Sequence, residues 1–241
     1  MLSDLIRDNQ PCVALTGAGV STESGIPDFR SADGIWAQYD PMEYASIEAF
    51  RRDPVKVWEF YGRRLGALLE AKPNAAHDAL AELERRGLIT AVITQNIDRL
   101  HSLAGSRDVV EVHGSIATSV CLRCGTTATL EGVLALLEDA PAPACPSCGA
   151  ILKPNVVMFG ELLPAAAIDR AFELARSARL LLVVGSTLEV YPVAGLPLET
   201  IGAGGAVAIV NRGPTALDEL AELRIEGTAG EILGRVLDEL R

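Results

Sequence analysis

The sequence predicts an α/β fold: a parallel sheet covered by helices on both faces, with a smaller, discontinuous domain inserted into it. Three observations carry this. Short, continuously apolar runs recur, the pattern of strands buried on both faces. Helical segments lie between several of them, as parallel connections require. Two stretches, 31–73 and 114–153, break the alternation, and the second holds four paired cysteines.

The strand runs are VALT (13–16), ITAVIT (89–94), VVEVH (109–113), LLLVV (180–184), AVAIVN (206–211) and LRIEG (223–227). Asn74 suits the N-cap of a helix over 75–86, which Gly87 ends. Pro164 opens a helix in PAAAIDRAFELARSA, and Pro214 opens another in PTALDELAEL, each at a first-turn position. AGEILGRVLDEL closes the chain as a further helix. The stretch 31–73 contains the helical segment VKVWEFYGRRLGALLEA but no strand. There is no internal repeat and no low-complexity tract.

The chain has 241 residues and a net charge of −11. That acidity opposes direct nucleic-acid binding, which needs cations facing phosphates, and favours encounter with basic partners. No apolar run reaches the roughly 18 residues of a membrane span, and the N-terminus lacks the basic-then-apolar pattern of a signal peptide. A cytoplasmic protein is expected.

Five cysteines occur. Cys121 and Cys124 form one C-x-x-C pair, Cys145 and Cys148 another, with Gly125 and Gly149 following each. Four thiolates so spaced close a tetrahedral zinc site. A closed four-thiolate site leaves no open position, so the zinc is structural and supports a small insert with little core of its own. Cys12 stands alone inside a strand run and is expected to be core.

The loops after the strand runs carry the polar residues, as ligand crevices of parallel sheets do. GAGVSTESGIPDFR (17–30) follows the first run. Gly17 and Gly19 allow a phosphate close to the backbone; a plain βα turn would use the same glycines. Gly25, Ile26 and Pro27 cannot continue a helix, so Asp28, Phe29 and Arg30 are expected on a flap over the site. Gln95, Asn96 and Asp98 follow the second run, Asp98 also suiting a helix cap. His113 ends the third and is a candidate base. Gly185, Ser186 and Thr187 follow the fourth, and Asn211, Arg212 and Gly213 the fifth. His77 and His101 fall within predicted helices and are given structural roles.

These motifs together resemble the sirtuins, NAD-dependent protein deacylases of bacterial or archaeal type. The matches are GAGVSTESGIPDFR, TQNIDRLH (94–101), HG (113–114), both cysteine pairs, KPNVVMFGE (153–161), GSTLEVYPVAGLP (185–197) and NRGPT (211–215), in order along nearly the whole chain. The resemblance implies a Rossmann-like large domain from 1–30, 74–113 and 154–241, and a small domain from a helical module (31–73) and a zinc ribbon (114–153). It implies NAD in the cleft between them as a consumed co-substrate. Gly17, Ala18, Gly19, Ser21, Asp28, Phe29, Arg30, Trp36, Gln95, Asn96, Ile97, Asp98, Gly185, Ser186, Thr187, Asn211, Arg212, Gly213 and Ala229 would line it.

It also implies a reaction. The acyl-lysine carbonyl oxygen attacks the ribose carbon as nicotinamide leaves, with Asn96 and Asp98 at the nicotinamide. His113 then takes a proton from a ribose hydroxyl, and the products are free lysine and O-acyl-ADP-ribose. Acyl-lysine proteins or peptides are the partners, gripped by Val156, Val157, Met158, Phe159 and Gly160 on one side and Glu189, Val190 and Tyr191 on the other. A monomer is favoured. Arg99, Met158 and Glu189 depart from common family forms. Tyr61 and Arg64, three apart on one helix face, match the pair that binds succinyl- or malonyl-lysine carboxylates in a subset of sirtuins, and Ala45 matches their small residue. Competing readings are an ADP-ribosyltransferase or NAD hydrolase using the same pocket, and a non-catalytic NAD-binding scaffold.

Overall fold

A computed structural model of the protein describes residues 1–240. The chain runs α1 (Leu2–Asp8), β1 (Cys12–Thr16), α2 (Pro41–Tyr44), α3 (Ile47–Arg52), α4 (Pro54–Glu70), α5 (Ala75–Arg85), β2 (Ala91–Thr94), α6 (Leu100–Ala104) and β3 (Val109–Glu111). It continues through β4 (Gly114–Val120), β5 (Thr127–Thr129), α7 (Leu130–Asp139), β6 (Lys153–Val156), α8 (Ala165–Ser177) and β7 (Leu180–Val184). It ends with α9 (Leu196–Gly202), β8 (Ala206–Asn211), β9 (Leu223–Glu226) and α10 (Ala229–Glu239).

Six strands form one parallel sheet in the order β3-β2-β1-β7-β8-β9. Alternate residues along the four inner strands feed two cores. Cys12 and Ala14 pack with α1, α5 and α10, through residues such as Ile6, Leu80 and Leu233. Val13 and Leu15 pack on the other face with α8 and α9, through Leu174 and Leu196. Cys12 is fully buried, and burial pushes its thiol up to about 12, as a core position dictates. The order reverses between β1 and β7, so their carboxyl ends open a crevice at a topological switch point.

The cap read at Asn74 forms, and the structure adds one at Asp53. The Asn74 side chain accepts the N–H groups of Ala76 and His77 at the start of α5. Asp53 accepts the N–H of Lys56 at the start of α4, with Pro54 in its first turn. One predicted helix is absent. PTALDELAEL forms only a single turn at Asp218–Leu220. Thr215 donates its hydroxyl to Asp218 at 2.7 Å, and Arg224 ties Asp218 to the carbonyls of Asn211 and Gly213. These side-chain bonds hold the segment as a loop in place of helix.

The small domain has a three-stranded antiparallel sheet, β5-β4-β6. β6 belongs to this sheet, so the return to the large sheet comes later than residue 154. Its core joins α4 to the cysteine module: Trp58 donates its indole N–H to the Leu152 carbonyl at 2.7 Å. Phe29 and Trp36 of the flap pack onto this core too, so the flap leaves the large sheet but sits on the small domain. The third strand stops at Glu111, before His113. Gly114, at φ +75°, turns the chain into β4, and a Cβ there would lie 2.3 Å from the Asn155 carbonyl oxygen. No helix among the described residues is long and apolar enough to cross a membrane.

Candidate active site

The loops after β1 and β7 are pressed together, backbone on backbone. Gly19 N–H donates to the Gly185 carbonyl at 2.9 Å, and Gly17 N–H to the Val184 carbonyl at 3.1 Å. A Cβ on Gly17 would sit 2.8 Å from the Gly185 oxygen, and one on Gly19 2.8 Å from Gly185 Cα. Gly185, at φ +62°, would strike the Val20 nitrogen. The glycines are therefore needed to let two strand-end loops meet, a demand that neither a phosphate nor a plain βα turn describes. After Gly17 the chain forms a short 3-10 segment, Ala18–Ser24, ended by Gly25 in the left-handed region.

A buried hydrogen-bond network lies where this segment faces the loop after β2. Ser21 is 1% exposed, Asp98 7% and His77 0%. The Asn74 backbone N–H donates to His77 Nδ1 at 3.3 Å, so His77 carries its proton on Nε2. That nitrogen lies 3.4 Å from Ser21 Oγ and donates to it. Asn96 Nδ2 donates to the same oxygen at 3.0 Å. With both lone pairs taken, Ser21 places its one proton on Asp98 Oδ2, at 2.7 Å. Asp98 Oδ1 accepts the Leu100 N–H at 2.9 Å, but the N-cap of α6 is Arg99, one residue later than the cap expected at Asp98.

His77 therefore reaches the site cluster, where sequence reading assigned it to structure; the signal was its place three residues after the cap Asn74. Burial lowers its pKa, opposed by the Asp98 charge. Its ring packs 4.8 Å from that of His101, which is bonded to Thr16 Oγ1 and is pushed by burial down to about 3.

His113 lies between the domains. Its Nδ1 is 3.0 Å from the Gln95 carbonyl, an acceptor only, so Nδ1 bears the proton and Nε2 keeps a free lone pair. Its own carbonyl accepts the Val157 N–H at 2.8 Å. Burial is the main cause lowering its pKa; the Gln95 bond opposes this and the Arg30 charge adds to it. The ring is a neutral base at pH 7. Gln95 also donates to Ser186 Oγ at 2.9 Å, joining this corner to the β7 loop. Ile97 accepts the Ile116 N–H through its carbonyl, a further tie to the small domain.

Other residues singled out in the sequence lie further round. Thr187 accepts the Ala216 N–H through its carbonyl. Asn211 is buried and donates to the carbonyls of Arg212 and Gly213, its own side-chain oxygen having no partner among the described residues; Arg212 is exposed. Ala229 starts α10, whose Gly230 N–H is held by Glu23. The Asp28 carboxylate accepts the N–H groups of Arg30 and Ser31, which folds the flap on itself. Arg30 pairs with Glu189 across the crevice at 3.0 Å.

At the small-domain end, Phe29, Trp36, Phe60 and Phe159 form an aromatic cluster. The Arg64 guanidinium sits 5.2 Å from the Phe29 ring centre and 5.1 Å from that of Phe60. It forms no ion pair or hydrogen bond among the described residues. Burial lowers its pKa. Burial raises the Tyr61 hydroxyl to about 12, with Arg64 close enough to oppose it. Ala45 is buried, and its carbonyl accepts the Phe159 N–H at 2.9 Å, while the Phe159 carbonyl accepts from Ile47. Met158 is buried, and its N–H donates to Glu161, which Lys153 also pairs at 2.9 Å. This brace between a buried Lys153 and a half-buried Glu161 was missed in the sequence, where nothing distinguishes it from surface charge.

The four cysteine Sγ atoms lie within 4.8 Å of one another, with Cys121–Cys148 at 3.5 Å and Cys124–Cys145 at 3.6 Å. Zn–S bonds of about 2.3 Å put tetrahedral sulfurs about 3.8 Å apart, so the set fits a closed zinc site. Gly125 and Gly149, at φ +75° and +74°, shape the two turns.

A switch-point crevice and a four-cysteine module bridged by a histidine define an α/β nucleotide-binding protein with an inserted metal-stabilised domain. The Sir2 family pattern matches residues 17–192. An NAD-dependent protein deacylase of Pyrococcus furiosus is 46% identical, over 100% of this chain and 97% of that protein. A solved Sir2 complex with a p53 peptide and NAD+ superposes with a TM-score of 0.92 at 44% identity, covering 99% of this chain and 96% of that one. Sir2Tm bound to a propionylated peptide gives 0.91 at 43% identity, with the same coverage. The chain belongs to the Sir2 family.

Proposed function

We propose that this protein is an NAD-dependent protein lysine deacylase that consumes NAD and releases nicotinamide, O-acyl-ADP-ribose and free lysine. The observation that carries this is His113, locked by the Gln95 carbonyl with Nε2 unprotonated at the mouth between the domains. Its role is to take a proton from a ribose hydroxyl, which a neutral imidazole does well near pH 7.

Asp98 and Asn96 hold the nicotinamide end. Asp98 has one donor on each oxygen and a lone pair left on each for a carboxamide N–H. Gln95 meets the nicotinamide ribose. Gly17, Ala18, Gly19, Gly185, Ser186 and Thr187 hold the phosphates, and Asn211, Arg212, Gly213 and Ala229 the adenosine. Phe29, Arg30 and Trp36 cover the ribose. When bound, NAD supplies the activated glycosidic bond and the acceptor sugar; the protein positions the weak amide nucleophile against it. The peptide lies between Val156–Gly160 and Glu189–Tyr191, paired through its main chain.

The acyl group extends toward Tyr61 and Arg64. An unpaired, half-buried guanidinium suits a carboxylate, so succinyl- and malonyl-lysine join acetyl-lysine as substrates. The cytoplasm is the proposed location.

The test is nicotinamide release from NAD with an acetyl-lysine peptide. Wild type turns over, and His113→Ala loses about 100-fold or more in rate. Labelled NAD appearing on protein with no peptide deacylated would support the transferase reading and overturn this one.

A further inference from the structure

We propose that Glu189 is a specificity residue that favours acyl-lysine peptides carrying arginine or lysine beside the acylated position. This rests on the reading of Val156–Gly160 and Glu189–Tyr191 as the walls of the peptide groove.

The backbone that presents Glu189 is fixed. Leu188 before it is buried and held at φ +57°, and its N–H donates to Ser186 Oγ at 3.3 Å. The Gly185 turn is wedged against Gly19. The side chain, by contrast, is 54% exposed, and Tyr191 two residues on is 69% exposed. Across the groove, Phe159 is 38% exposed. The carboxylate on that wall, Glu161, is consumed by Lys153 and the Met158 N–H. Glu189 is therefore the wall carboxylate open to a ligand.

Its partner leaves room. Arg30 pairs with it through Nε on Oε2 at 3.0 Å. Oε1 has no partner among the described residues. An incoming guanidinium can add to Oε1 or take both oxygens as a fork, which a single bond from an exposed arginine resists weakly. The net charge of −11 draws any basic peptide to the molecule; Glu189 converts that attraction into a preference at one place in the peptide.

The experiment uses one acetyl-lysine peptide in three versions, with Arg, Ala or Glu next to the acyl-lysine. Wild type is expected to rank them Arg, Ala, Glu in kcat/KM, with the Arg version about five-fold above the Ala version at low salt. Glu189→Gln flattens the ranking and Glu189→Lys reverses it. Raised ionic strength shrinks the spread in wild type. Equal rates for the three peptides in wild type sink the proposal. So does a ranking that survives Glu189→Gln, because the preference then comes from net charge. Binding of the same labelled peptides, read by fluorescence anisotropy, reports the ranking without turnover. Retained ranking with no nicotinamide release would overturn the deacylase reading and leave this one standing.

Discussion

The two ends of the crevice are built on opposite rules. At the Asp98 end the bonds that meet at Ser21 are all directed: Ser21 takes two donors, from His77 and Asn96, and gives one proton to Asp98. At the Arg64 end a half-buried cation and a buried phenol have aromatic faces around them and no hydrogen-bond partner among the described residues. The first arrangement fixes geometry in advance, since buried polar groups bonded to one another have one low-energy state. The second leaves binding capacity unspent. One end is made to hold a constant part of the substrates, the other to accept a variable part.

Breaking the directed end should cost most. Ser21→Ala leaves the His77 Nε2–H, the Asn96 amide and Asp98 Oδ2 each short of a partner. Each buried unsatisfied group costs about 1–3 kcal/mol, so kcat/KM for NAD should fall by about 100-fold or more, with a lower melting temperature as well. Steady-state kinetics with a fixed acyl peptide measure the first, and thermal unfolding the second. A loss below about three-fold would show that the network does not preorganise the site.

Arg64→Met tests the open end and should be selective. Losing a charge-assisted bond removes about 1.5–3 kcal/mol, so succinyl- and malonyl-peptide turnover should drop by roughly ten- to hundred-fold. Acetyl-peptide turnover should change by no more than a few-fold. Matched peptides carrying the three acyl groups measure the split. Equal losses on all three would mean that Arg64 supports the aromatic cluster and not the acyl group.

The sheet was legible because it is repetitive: five of the six runs from VALT to LRIEG lie wholly apolar or nearly so, and each returned as a parallel strand. The four-cysteine module was legible because metal ligation fixes spacing. What could not be read depends on distant packing. Nothing local says that Gly17 and Gly19 are glycines because Gly185 lies on them, nor that His77, placed by the nearby cap Asn74, directs its Nε2 proton to Ser21 from 56 residues away. The helix expected from Pro214 failed because Thr215, Asp218 and Arg224, each ordinary in sequence, bond to one another across the loop.

Acid should unpick the directed end before neutral groups elsewhere respond. His101 titrates at about 3 in the fold against an ordinary 6.5, and His77 and His113 are also lowered. A lowered histidine means that the unfolded chain binds more protons below pH 6.5. Its stability contribution is present above that pH and is lost as pH falls toward the folded value. Each such histidine adds a slope of up to about 1.4 kcal/mol per pH unit. Denaturant midpoints measured from pH 7 to pH 4 should fall, and His101→Leu should remove about one proton's worth of slope. The acid limb of kcat/KM should lie below 6.5, because His113 keeps its free Nε2 lone pair to a lower pH.

The smallest expected effect sits beside Asp98. Arg99 holds φ +67°, a region costly for a side chain that carries a Cβ. Arg99→Gly should relieve roughly 1 kcal/mol of backbone strain, partly cancelled by the greater freedom of glycine in the unfolded chain. A net gain of about 0.5 kcal/mol is expected. The substitution also removes the positive charge that opposes the upward shift of Glu111, whose pKa burial raises. Glu111 should then titrate higher still, read by NMR of its carboxyl carbon. If Arg99→Gly destabilised the protein by more than about 1 kcal/mol, the arginine side chain would be holding the Asp98 turn in place, and the directed end would extend one residue further than the hydrogen bonds alone describe.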